Sequence, residues 1–231
     1  MSIAENIAQV RTNIAQACAQ AGRSPEEITL VGASKMNDAA ACREAIAAGI
    51  DALGENRVQE MTAKLADNAY DGAPLHFIGH LQRNPVKQVV GKVALIQSVG
   101  SMELLEEIEK VAAREQLVQD ILLEVNIGRE EAKSGFDPDA VTAAAEAALS
   151  LPHVRVRGLM TIPPADADRD ANMRYFQEVQ ALYVDINTKL FHNELKCLSM
   201  GMSGDYMDAI RCGATMVRVG TAIFGARNYN I

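Results

Sequence analysis

Apolar residues fall along this chain in two alternating patterns. Over residues 2–21, Ile3, Ile7, Val10, Ile14 and Ala17 recur three and four apart, the spacing of one helix face. Gly22 fits the stop, and Ser24-Pro25-Glu26-Glu27 reads as a capped turn. The second pattern is the short, continuously apolar run, which predicts strands at 28–35, 51–56, 74–82, 93–98, 120–126, 154–161, 197–202 and 216–219. Helical stretches separate them at 38–48, 57–69, 85–91, 101–116, 137–150 and 169–191, with one short helix between the last two strands.

Continuous rather than alternating apolar strands are expected where both faces of a parallel sheet are covered. Strict strand–helix alternation points the same way. Eight such units on 231 residues predict a closed α/β barrel of the TIM, or (β/α)8, type with an extra N-terminal helix, rather than an open doubly wound sheet. The absence of a G-x-G-x-x-G turn after the first strand argues against a dinucleotide site. Nothing resembles a linker, so residues 1–231 read as one domain.

Composition narrows the function. Apolar residues make up 48% of the chain, tryptophan is absent and aromatics are 4%, so aliphatic side chains must fill the core. A net charge of −8 argues against a nucleic-acid or anionic-membrane surface. Cys18, Cys42, Cys197 and Cys212 match no zinc spacing and read as buried free thiols, which suggests a reducing compartment. The four histidines show no metal-ligand spacing, so no metal is expected. No secretion signal or membrane-length apolar run is visible, and a cytoplasmic monomer is the expectation.

In a barrel of this type the chemistry gathers at the C-terminal strand ends. Those ends are Lys35, Asn56, His80 with Gln82, Ser98, Asn126, Met160 with Thr161, Ser199 to Ser203, and Arg218 to Thr221. Ser203-Gly204 and Gly220-Thr221 read in two ways on their own: as turns whose amides and hydroxyls cradle an oxyanion, or as plain glycine turns. Lys35 closes an apolar strand and on its own reads in two ways: as a partly desolvated, nucleophilic amine, or as a surface lysine at a strand terminus, the commoner setting for lysine. A lysine beside an oxyanion cradle suits Schiff-base chemistry with a phosphorylated carbonyl compound.

These residues carry a family resemblance. The pieces are Val31-Gly32-Ala33-Ser34-Lys35, Gly54-Glu55-Asn56-Arg57-Val58-Gln59, His76-Phe77-Ile78-Gly79-His80-Leu81-Gln82, Lys133-Ser134-Gly135, Gly158-Leu159-Met160-Thr161, Leu198-Ser199-Met200-Gly201-Met202-Ser203-Gly204-Asp205 and Val217-Arg218-Val219-Gly220-Thr221. From the first helix to Gly225 the chain resembles the pyridoxal phosphate homeostasis proteins, single-barrel relatives of the alanine racemase N-terminal domain. The resemblance implies a fold-type-III-like barrel in which Lys35 holds pyridoxal 5′-phosphate (PLP) as a Schiff base. It further implies that Ser203, Gly220 and Thr221 bind the phosphate and that Arg218 faces the pyridine nitrogen. Asn56, His80 and Met200 complete the expected cofactor contacts, and Lys133 reads either as a secondary contact or, more in keeping with lysine exposure, as a solvated loop residue. The chain departs from the family pattern at Met36-Asn37-Asp38 and at Asn84-Pro85, where lysines are usual.

An arginine at the ring nitrogen stays protonated and leaves that nitrogen without a proton, which discourages carbanion chemistry. No second domain is expected after the eighth strand to supply an acid–base partner. The expected function is therefore storage, buffering or delivery of PLP to apo-enzymes, without robust turnover. The runner-up is a weak amino-acid racemase using Lys35 with Tyr206 or His80. A lysine-dependent aldolase acting on a sugar phosphate is a third reading.

Overall fold

The computed structural model of the chain describes residues 1–225. The last six positions of the expected single domain lie outside the described residues. Helix α1 (Ile3–Ala21) opens the chain, with a Ser2/Glu5 capping box at its start and Gly22 in the left-handed conformation at its end. The eight strands are β1 (Thr29–Ala33), β2 (Ala52–Glu55), β3 (Leu75–Phe77), β4 (Leu95–Val99), β5 (Gln119–Val125), β6 (Val154–Thr161), β7 (Cys197–Ser199) and β8 (Met216–Val219). They pair in parallel, in sequence order, and β8 closes on β1. The helices between and after them are α2 (Ala39–Ala47), α3 (Val58–Ala66), α4 (Met102–Arg114), α5 (Val141–Ala148), α6 (Arg169–Leu190), α7 (Tyr206–Arg211) and α8 (Thr221–Phe224). The fold is thus the (β/α)8 barrel with one additional helix in front.

Three expected elements are shorter than their apolar patterns suggest. The third strand, expected over 74–82, ends at Phe77. The chain then turns across the end of β2 so closely that a Cβ on Gly79 would lie 2.2 Å from the Asn56 carbonyl oxygen. The seventh strand stops at Ser199 because Gly201 turns with φ +94°, where a Cβ would meet the Ala209 side chain at 2.6 Å. The helix expected over 85–91 is a single 3-10 turn, Val86–Gln88. Val86, Val89 and Val90 are buried without forming a regular helix, so there apolarity recorded burial rather than regular structure.

Two apolar cores hold the barrel. The larger lies between strands and helices and takes in the α1 stripe of Ile7, Val10, Ile14 and Ala17. The smaller fills the barrel: Val31, Ala52, Leu95, Leu122, Met160 and Met216. Side chains two apart on a strand share a face. Gln97, Glu124 and Arg218 therefore follow Leu95, Leu122 and Met216 into the interior, one step nearer the C-terminal mouth. The barrel interior is apolar below and polar above, and that gradient places the site.

Candidate functional site

The polar upper layer is an ordered chain of hydrogen bonds. Arg218, 3% exposed, donates through Nη2 to the Thr161 carbonyl at 2.9 Å and through Nη1 to Ser199 Oγ at 2.5 Å. Ser199 donates its own hydroxyl hydrogen bond to Gln97 Oε1 at 2.6 Å. That orients the Gln97 amide, which donates to His76 Nδ1 at 3.0 Å. His76 accepts there, so its ring proton sits on Nε2, and burial lowers its pKa to about 4. Burial also lowers Arg218 to about 10, against the opposing pull of Glu124 and Asp205, so it remains a cation at neutral pH.

Above this layer the mouth opens into two adjoining cavities of about 570 and 440 Å³, within the ~300–1,000 Å³ of small-molecule sites. Ala33, Lys35, Met202 and Arg218 line both. Lys35 is half-buried on the turn that leaves β1, so it stands at the junction. Ser203, Gly204, Gly220 and Thr221 wall the first cavity. There the backbone N–H groups of Gly220 and Ala222 converge on Ser203 Oγ at 3.2 and 3.3 Å, so two turns distant in sequence present their donors together. A Cβ on Gly220 would come within 3.4 Å of the Ala33 carbonyl, filling space between the cradle and β1.

Asn56, His80, Asn126, Lys133 and Glu124 line the second cavity. Lys133 is paired with Glu130 at 2.5 Å. Glu124, 7% exposed, accepts from Ser134 at 3.1 Å. Its pKa is raised by burial, against the opposing effects of the Ser134 hydrogen bond, Arg218 and His80.

Of the residues expected at the site, Lys35, Asn56, His80, Ser203, Arg218, Gly220 and Thr221 meet at this mouth. Met200 does not: it is fully buried in the larger core, and Met202 takes the wall position instead. Gln82 lines neither cavity, and Ser98 turns its hydroxyl to the Gly79 carbonyl at 2.5 Å. Tyr206, a candidate proton donor for the racemase reading, packs away from the mouth. Its buried hydroxyl accepts from Asn13 on α1 at 2.9 Å. Glu124 and Gln97 escaped the strand-end reading because they are interior, not terminal. The alternation with Leu122 and Leu95 is the signal that would have found them.

Residues 6–228 match the family model described as "Alanine racemase, N-terminal domain". A pyridoxal phosphate homeostasis protein from Aquifex aeolicus is 42% identical over 229 residues, covering 99% of this chain and 100% of its own length. The protein of the same name from Pseudomonas aeruginosa is 40% identical, over 99% of this chain and 97% of that one. This chain belongs to the pyridoxal phosphate homeostasis protein family.

Among solved structures, PipY from Synechococcus elongatus with PLP bound is 32% identical and superposes with a TM-score of 0.85, covering 97% of this chain and 100% of that one. An alanine racemase from Clostridium difficile is 17% identical with a TM-score of 0.73. It is covered over 58% of its length, against 99% of this chain, and the likeness is one of fold.

Proposed function

We propose that this protein binds pyridoxal 5′-phosphate at the barrel mouth through Lys35 and serves the homeostasis of that cofactor. One observation carries the reading: a lysine amine, a pair of converged backbone amides and a buried arginine share one cavity large enough for a phosphorylated aldehyde. The donor set fits the group. Ser203, Gly220 and Thr221 would hold the phosphate, Met202 and Ala33 would supply apolar wall for a ring, and Arg218 would donate to the pyridine nitrogen. Pyridoxal phosphate supplies an aldehyde that condenses reversibly with a primary amine, with loss of water.

The protein's own residues argue for holding rather than turnover. Arg218 is fixed by Ser199 and Thr161 and protonated at neutral pH, so it can only donate to a ring nitrogen and has no lone pair to accept a proton from one. Tyr206 is turned toward α1, which leaves His80 as the remaining acid–base candidate of the racemase reading. A non-catalytic, cytoplasmic, monomeric carrier that passes the cofactor to apo-enzymes is the form of the proposal, with residues 1–231 acting as one domain.

Borohydride reduction followed by peptide mapping tests the attachment: a pyridoxyl adduct on Lys35 is expected, and an adduct elsewhere or none overturns it. Exchange of the α-proton of an added amino acid at enzyme-like rates would overturn the carrier role. Size-exclusion chromatography with light scattering checks the monomer.

A further inference from the structure

The turn that carries Lys35 is gripped from outside the barrel by a single helix. Glu60 and Lys64 stand four residues apart on α3 and so share one face. Lys64 Nζ donates to the carbonyl of Ser34, the residue before Lys35, at 2.8 Å. Glu60 Oε2 accepts from the backbone N–H of Met36, the residue after it, at 2.8 Å. The peptide groups on both sides of the lysine are thus tied to one rigid element. Neither Glu60 nor Lys64 lines the cavities.

Two further observations mark this grip as more than packing. Met36 has φ 61°, a left-handed conformation uncommon for a residue with a side chain, and its N–H is the one Glu60 holds. Ser34 is held from a second direction, by its N–H to the Gly54 carbonyl at 3.0 Å and its hydroxyl to Glu55 Oε1 at 2.6 Å. That carboxylate is fully buried and also receives Lys64 Nζ at 2.6 Å and the Tyr70 hydroxyl at 3.1 Å. A buried ion pair contributes little net stability compared with apolar residues of the same volume, so its place directly behind the lysine turn calls for another explanation.

We infer that Glu60 and Lys64 are positioning residues for Lys35, clamping the two neighbouring peptide groups so that the amine is presented to the mouth in one orientation. The inference rests on the proposed attachment at Lys35. Because a small misplacement of a reacting group costs far more in reactivity than in folding, the clamp acts on covalent capture and leaves phosphate recognition alone.

The full-length protein tests this with two probes. Pyridoxal 5′-phosphate carries both phosphate and aldehyde; 4-deoxypyridoxine 5′-phosphate carries the phosphate and ring without the aldehyde. Glu60→Ala is expected to weaken binding of the first about tenfold, and to slow the rise of its visible absorbance band, while binding of the second stays at the wild-type value. Glu60→Gln keeps an oxygen acceptor for the Met36 N–H and is expected to restore wild-type behaviour. The pair Glu55→Gln with Lys64→Met removes the grip on Ser34 without stranding a buried charge, and is expected to reproduce the selective loss.

Equal loss for both probes would mean general damage and would overturn the inference, as would no loss for either. Amide hydrogen exchange at Met36 gives a readout without any ligand. Faster exchange there in Glu60→Ala, with the barrel strands unchanged, is expected, and unaltered exchange at Met36 overturns the clamp. Failure of the wild-type protein to form a Lys35 adduct sinks the functional reading instead, and is seen before any variant is made.

Discussion

The two sides of the barrel mouth are built by different means. The side formed after β7 and β8 is made of backbone: small residues bring the amides of Gly220 and Ala222 together on one hydroxyl. The side formed after β1 and β2 is made of long side chains, with Lys64, Glu55, Ser34 and Glu60 arranged around the Lys35 turn. A backbone cradle tolerates substitution wherever the new side chain leaves the amides alone. A side-chain assembly with a buried charge has no such tolerance, because removing one member strands the others. The first side suits recognition of an anion; the second suits holding one reactive group in place.

Substitutions can sharpen or break this contrast. The largest effect is expected for Lys35→Ala, which removes the amine: the adduct and the visible colour should vanish, while melting temperature changes little because the residue is only half-buried. A stable visible chromophore in that variant would mean that the attachment lies elsewhere. Next comes Lys64→Met alone, which leaves Glu55 buried without its cation and should cost about 3–5 kcal/mol in urea unfolding. Adding Glu55→Gln should recover most of that loss, and a double variant as unstable as the single one would contradict the assignment.

The pH dependence of stability is the third test. His76 is held neutral, with a folded pKa of about 4 below its ordinary value of 6.5. Its contribution is complete above pH 6.5 and is lost as pH falls toward 4, on the order of 3 kcal/mol in total. His76→Gln should flatten the stability curve across that window in a denaturant series. Glu124 has the opposite sign, since its folded pKa is raised. The stability it contributes is present at low pH and lost as pH rises through the folded value, so Glu124→Gln should stabilise the protein more at pH 7 than at pH 4.

The smallest effect belongs to the backbone side. Ser203→Ala removes the acceptor shared by the Gly220 and Ala222 amides and should cost about 1 kcal/mol. Affinity for inorganic phosphate reports whether those amides are then less well ordered; no change in it would detach Ser203 from the cradle.

How far the sequence could be read depended on the range of the physics involved. Helix α1 was legible because its stripe, capping box and left-handed glycine are all local. The closed barrel was legible because covered parallel strands leave continuous apolar runs at regular spacing. Lys35, Ser203 and Gly220-Thr221 were legible because the barrel places strand ends at one mouth. The reading failed at β3, which ends at Phe77 because the chain turns at Gly79 against the Asn56 backbone, and at Met200 and Tyr206, whose side chains turn into the core and toward α1.

The order of periods and small residues along the chain therefore determined the architecture and set Lys35 and the small-residue turns at Ser203 and Gly220 at strand ends, since each arises from neighbours in sequence. Tertiary structure alone decided that α3 holds the lysine turn, that Gln97, Ser199 and Arg218 form one hydrogen-bonded line, and that Glu124 faces the mouth. Such contacts join residues far apart in the chain, and their strength depends on burial, which no local pattern encodes.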